Sequence, residues 1–198
     1  HNPQRLNLGG VRAVGLRGPE SDVDPLLAFA ELADDVAAGL GAQGGADGLG
    51  RDTERGGQFA WERGPYYAKG LIALAYALDD DGLKQKTRKW IDRVIESQRE
   101  DGDFGPRQRN WWPNMIVLHY MRDYYEVTRD ARIPPFFEKY FRFQQKTLPG
   151  HPLSRESKWA KARGGDNLEV VLWLYNLTAE KWLLELAGLL MDQTNEWH

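Results

Sequence analysis

The chain has 198 residues, 41% hydrophobic and 12% aromatic, a composition that supports one globular core and excludes a disordered chain. Its 26 basic and 29 acidic residues leave a net charge of −3 with no basic stripe, which argues against nucleic acid or an anionic membrane as partner. Cysteine is absent, so disulfides, thiolate metal sites and cysteine nucleophiles are excluded within the chain.

Residues 1–20 hold several glycines and Pro19 but little periodicity, and they start without a signal-peptide pattern, which leaves the localisation open. Asp24 and Pro25 open a predicted helix, the first as its cap and the second at a position where no N–H is needed. Leu26, Leu27, Phe29, Ala30, Ala33, Val36, Ala37 and Leu40 give it an apolar stripe, and Gly41 stops it. Seven glycines among residues 41–60 mark a long loop. Tyr66 to Leu78 then reads as a helix apolar almost all round, expected to be buried on both sides. Asp79 to Gly82 turns the chain. Leu83, Trp90, Ile91, Val94 and Ile95 share one face of the next helix, with Lys, Arg and Asp opposite. The pattern recurs with Trp112 to Tyr125, a turn at Thr128 to Asp130, and Ile133 to Gln145 with Pro134 and Pro135 in its first turn. It recurs again with Leu168 to Leu177, a turn at Thr178 to Glu180, and Trp182 to Met191. No apolar run approaches the roughly 20 residues of a membrane span.

Leu83, Ile133 and Leu183 are separated by 50 residues each, a period found in arrays of helical hairpins. One apolar helix and one amphipathic helix per hairpin is the requirement of an inner and an outer ring. The expectation is an all-α fold, a partial (α/α)6 barrel or α/α toroid built from antiparallel hairpins. Residues 1–57 form a lead-in with one helix and a Gly-rich loop, and 58–198 form three hairpins. A six-hairpin ring at this period needs about 300 residues. The chain therefore reads as a fragment or incomplete arc, expected to self-associate through exposed inner-helix faces.

Polar-aromatic segments precede each inner helix: Trp61 to Tyr67, Gln98 to Pro106 with Asn110 to Pro113, and Lys158 to Asn167. Inner helices of successive hairpins run parallel, so these segments converge on one mouth, where free helix N–H groups favour hydroxyl and anionic ligands. Glycoside hydrolysis uses two carboxylates across the scissile bond, and aromatic faces stack on sugar rings. The candidate catalytic carboxylates are Glu62 and Asp166. Candidate substrate contacts are Trp61, Arg63, Tyr66, Tyr67, Asp103, Trp111, Trp112, Arg163 and Asn167. Structural roles compete with these. Asp166 and Asn167 suit helix N-caps, Asp101-Gly102 suits a tight turn, and Glu62 suits an ion pair with Arg63 or Arg163. Trp90, Trp173 and Trp182 fall on core faces, and His119 lies on an inner helix without metal-ligand spacing.

Trp61-Glu62-Arg63-Gly64-Pro65-Tyr66-Tyr67, Gln98-Arg99-Glu100-Asp101-Gly102, Trp111-Trp112-Pro113, Ala162-Arg163-Gly164-Gly165-Asp166-Asn167 and Trp173-Leu174-Tyr175-Asn176, in this order, resemble the β-L-arabinofuranosidase-like glycoside hydrolase family. The resemblance covers residues 58–197. It implies an α/α toroid that hydrolyses terminal furanosides or related sugars from an oligosaccharide or polysaccharide. It also implies a zinc-bound cysteine nucleophile in the family at large, whereas this chain has no cysteine and so no cofactor of its own. The Gln98 to Gly105 run also resembles a structural brace between helices in other α/α toroids. Two further readings are a toroid polysaccharide lyase or unsaturated-uronide hydrolase, favoured by Arg63, Arg163, Tyr66 and Tyr67, and a non-catalytic helical binding module.

Overall fold

The computed structural model describes residues 60–105, 110–155 and 158–195, with side chains from Gly64 onward. The helix predicted at residues 24–40 and the loop after it lie outside the described residues. Seven helices are present among the described residues, and no strand: α1 (Ala60–Ala77), α2 (Asp81–Glu96), α3 (Trp111–Thr128), α4 (Ile133–Thr147), the single-turn α5 (Lys158–Ala162), α6 (Gly164–Thr178) and α7 (Trp182–Gln193). None of the helices among them is long and apolar enough to cross a membrane.

Local chemistry sets the ends of these helices. The Asp80 carboxylate accepts from the Leu83 N–H at 2.8 Å to cap α2, and Asn110 caps α3 through the Trp112 N–H at 3.2 Å. Pro134 and Pro135 occupy the first turn of α4, where their missing N–H groups cost no helical bond. The turns repeat in detail. Asp79, Arg129 and Ala179, fifty residues apart, all adopt left-handed backbone, with φ of 57°, 56° and 58°. Thr128 and Thr178 each donate a hydroxyl back to the carbonyl four residues earlier, and each accepts from the N–H two residues later. Leu83, Ile133 and Leu183 follow the turns and are buried.

Cross-helix pairs give the directions. Tyr66 meets Trp112, and Tyr76 meets Tyr124, so α1 and α3 are parallel. Arg163 lies over Trp112, Asp166 faces His119, and Trp173 bonds Glu126, so α3 and α6 are parallel. Arg142 on Trp182 and Gln145 on Glu185 align α4 with α7. Gln144 with Asn167 and Phe137 with Trp173 run in opposite order, so α4 is antiparallel to α6. One layer therefore holds α1, α3 and α6 in parallel, with the return helices behind it.

The core sits between the layers. Phe104, Phe136, Phe137, Tyr140 and Phe141 are fully or almost fully buried and meet at ring separations of 4.8–6.0 Å. Burying each such side chain contributes about 1.5–3 kcal/mol. Helix α3 is enclosed almost throughout its first three turns. The expectation of burial on both sides fails for α1 and α6. Tyr66, Ala73 and Ala77 are exposed on α1, and Leu172 and Leu177 on α6. The reason is positional: among the described helices α3 has first-layer neighbours on both flanks, whereas α1 and α6 have one each.

The Gln98 to Gly105 segment braces the back layer. Gln98 Nε2 donates to the carbonyls of Phe136 at 2.9 Å and Gly102 at 3.1 Å. Arg99 pairs with Asp103 and donates to the Gly105 carbonyl at 2.7 Å. Gly102 has φ 99°, and a Cβ there would lie 2.3 Å from the Lys139 carbonyl oxygen, so glycine is required on both counts.

Candidate functional site

The ends of three parallel helices meet around Trp112. Its ring is 7% exposed, with Tyr66 of α1 edge-on at 6.3 Å and the Arg163 guanidinium 5.5 Å from its centroid. The three polar-aromatic segments of the sequence thus come together through one residue each. Trp112 is the covered centre of that contact, while Tyr66 is 50% exposed.

One to two turns deeper, the seam between α3 and α6 changes from apolar to charged. His119 and Arg122 stand one turn apart on α3, and Asp166 and Glu169 one turn apart on α6, so the two pairs face each other. His119 Nδ1 is 3.5 Å from Glu169 Oε2, and His119 Nε2 is 4.0 Å from Asp166 Oδ1. Nε2 is buried and makes no hydrogen bond to any described residue. Arg122 bonds Glu169 Oε1 through Nη1, and Asp123 Oδ1 through Nη2 at 2.6 Å and Nε at 3.1 Å. Arg163 Nη1 stands 3.9 Å from Asp166 Oδ2. The carboxylates keep solvent access, with side chains 36% and 49% exposed for Asp166 and Glu169. Burial pushes the His119 imidazole below its ordinary value. Lys69 of α1 and Arg122 add to that, while Glu169 and Asp166 oppose it. The imidazole therefore favours its neutral form, in which one ring nitrogen donates and the other accepts.

Other expected site residues have different places. Trp111 is buried, donates its indole N–H to the His151 carbonyl at 3.0 Å, and is flanked by Phe143 and the His151 ring. It is a packing residue rather than a stacking platform, because both neighbours occupy its surroundings. Asn167 is fully buried and exchanges two hydrogen bonds with Gln144, at 3.1 and 2.9 Å, which uses its amide between α6 and α4. Asp103 belongs to the brace. Burial raises its carboxyl, and the Arg99 ion pair opposes that shift. Tyr67 turns toward α2 and packs on Trp90 at 5.7 Å. Asp166 is not an N-cap, since α6 starts at Gly164 with no side-chain cap bond; it is a first-turn acid that suits the helix dipole. Glu62, with Trp61 and Arg63, lies in the first turn of α1, and these side chains are outside the described residues.

His119, Arg122, Glu169 and Lys69 were not among the expected site residues. His119 with Arg122, and Asp166 with Glu169, stand at three-residue spacing, but their pairing required the register between α3 and α6.

A zinc–thiolate centre does not fit the residues present. The chain has no cysteine, and the described residues gather no group of three metal-ligating side chains. A comparison with known protein families matches residues 19–196 to the β-L-arabinofuranosidase, GH127 catalytic domain. The match begins at residue 19. Searches of curated proteins and of solved structures found no match. The family match favours glycoside hydrolysis over the lyase and non-catalytic readings. With nine-tenths of its length covered, the chain belongs to the β-L-arabinofuranosidase GH127 family and is a glycoside hydrolase domain.

Proposed function

We propose that the seam between α3 and α6 is the sugar-facing part of an α/α toroid, with Asp166 and Glu169 as its working carboxylates. A single observation carries this reading: two solvent-accessible carboxylates, one helical turn apart, bracket a largely buried imidazole whose Nε2 has no partner among the described residues. Convergent polar groups at the rim of an apolar assembly are the usual form of a small-ligand site. Terminal L-arabinofuranosides are the substrate class that the family suggests.

Each residue has a task in this reading. The carboxylates accept hydrogen bonds from sugar hydroxyls, and the buried His119 imidazole backs them from within the seam. Arg163 donates from the rim, and Tyr66 offers its exposed ring to a sugar face. Glu62, two residues into α1 and one turn before Tyr66, is proposed as a further carboxylate at the same end of the layer. Proton transfer to the glycosidic oxygen and stabilisation of the anomeric centre require carboxyl groups on either side of the bond. No step is assigned to zinc. Parallel packing of α1, α3 and α6 with return helices behind them supports ring closure as a toroid. Residues 58–198 would supply three hairpins of that ring, and residues 1–57 the lead-in.

The test is calorimetric titration with oligosaccharides that end in L-arabinofuranose, using the chain and its Asp166→Asn and Glu169→Gln variants. Circular dichroism would confirm that each is folded. At least a tenfold loss of affinity in either variant is expected, on the order of 1.4 kcal/mol. Affinity unchanged in both would remove this seam from the sugar site.

A further inference from the structure

We infer that Arg122 is a positioning residue that fixes Glu169 against His119 and leaves Asp166 as the carboxylate free to turn toward the substrate. The inference rests on the sugar-site reading above, and it assigns different roles to two carboxylates on the same helix face.

The contacts of the two groups are unequal. Glu169 Oε1 is bonded by Arg122 Nη1, and Oε2 lies 3.5 Å from His119 Nδ1. Arg122 cannot easily follow a moving partner, because its Nε and Nη2 are bound to Asp123 Oδ1 at 3.1 and 2.6 Å. A planar guanidinium presents its donors in a rigid fork, so holding one side on Asp123 fixes the direction in which the other side meets Glu169. Asp123 thus anchors Arg122, Arg122 anchors Glu169, and Glu169 stands against the imidazole. Asp166 has no such tether. Its oxygens are 4.0 Å from His119 Nε2 and 3.9 Å from Arg163 Nη1, both beyond hydrogen-bond distance. Its shorter side chain can rotate between these two neighbours and a ligand.

A purely structural role for Arg122, as a clip between α3 and α6, is the competing account. The Glu169 side chain is about half exposed, and ion pairs of that kind contribute little to folding, roughly 0–1 kcal/mol. The positioning role therefore predicts an effect on ligand binding larger than the effect on stability.

A double-mutant cycle separates the accounts. Saccharide affinity is measured by calorimetry, with L-arabinofuranose-terminated oligosaccharides, for the chain, Arg122→Gln, Glu169→Gln and the double variant. Arg122→Gln should weaken affinity about tenfold in the native background and should have no further effect once Glu169 is Gln. Arg122→Lys keeps the charge but loses the fork, so it should stay as weak as Arg122→Gln. Full additivity, or full rescue by lysine, would overturn the inference while the sugar-site reading stands. An unchanged affinity in Glu169→Gln would instead overturn the assignment of Glu169 to the sugar site. A measurement without ligand checks the tether directly. Nitrogen-15 NMR of the Arg122 guanidinium should show separate Nη signals from hindered rotation, and the Nη1 signal should shift in Glu169→Gln while Asp123 still holds Nη2. Merged signals in the unsubstituted chain would overturn the inference.

Discussion

Helix α3 has two unlike flanks. Toward α4 it meets the aromatic core, where Phe104, Phe137, Tyr140 and Phe141 leave almost no surface to solvent. Toward α6 its His119 and Arg122 meet Asp166 and Glu169, partly hydrated groups that pair at distances from hydrogen bonds to 4.0 Å. The first flank is held by burial, which is non-directional and large in sum. The second carries, beside its apolar contacts, charge pairs that contribute little net stability once desolvation is counted. Apolar burial and the proposed site for a ligand thus lie on opposite sides of one helix.

Substitutions on the two flanks should therefore differ in kind. Phe137→Ala should have the largest effect on folding, a loss of about 3–5 kcal/mol by chemical denaturation, from the lost transfer energy and the cavity left among its aromatic neighbours. A loss below about 1 kcal/mol would break the distinction. Gly102→Ala comes next. The left-handed backbone alone accounts for roughly 1–3 kcal/mol, and the clash with the Lys139 carbonyl adds to it. Thermal unfolding should register it as a clear drop in midpoint, with saccharide affinity unchanged.

Asn167→Ala leaves the buried Gln144 amide without its partner, at a cost of about 1–3 kcal/mol. Replacing both residues with leucine should cost less than the sum of the single replacements, and strict additivity in denaturant titrations would argue against the reciprocal amide pair. His119 gives a smaller and pH-dependent effect. Its folded value is depressed, so the unfolded chain binds more protons as pH falls through the ordinary imidazole value of 6.5. Stability attributable to the neutral imidazole is present above that value and declines as pH falls through it toward the depressed folded value. His119→Gln should flatten this slope. An identical pH profile in the variant would show that the imidazole is not disfavoured when charged. Glu169→Gln should move stability least, within about 1 kcal/mol, while it changes saccharide affinity most. A stability loss as large as that of Phe137→Ala would place Glu169 in the structural frame instead.

Much of the fold was legible residue by residue. The first and second helices of each hairpin follow from apolar periodicity, and the 50-residue recurrence of Leu83, Ile133 and Leu183 reappears in the left-handed turns at Asp79, Arg129 and Ala179. Trp182 as a core residue was equally readable from its helix face. The site was less so. The convergence of the Tyr66, Trp112 and Arg163 segments could be expected from parallel inner helices, and Asp166 does face the seam. Trp111 and Asn167 turn inward, because a polar or amphipathic side chain beside a helix start does so when a buried partner awaits it, here the His151 carbonyl and the Gln144 amide.

Local rules, then, determined which segments of this chain are helical, where they cap and turn, and the period at which they repeat, because those depend on residues within one or two turns of each other. The motif order also placed the chain among glycoside hydrolases. Only the tertiary structure decided which charges meet. His119 lies 47 residues before Asp166 and 50 before Glu169, and nothing local sets the axial register of two packed helices. That register is fixed by how the apolar faces of α3, α4 and α6 interlock, and the charged seam takes its geometry from that packing.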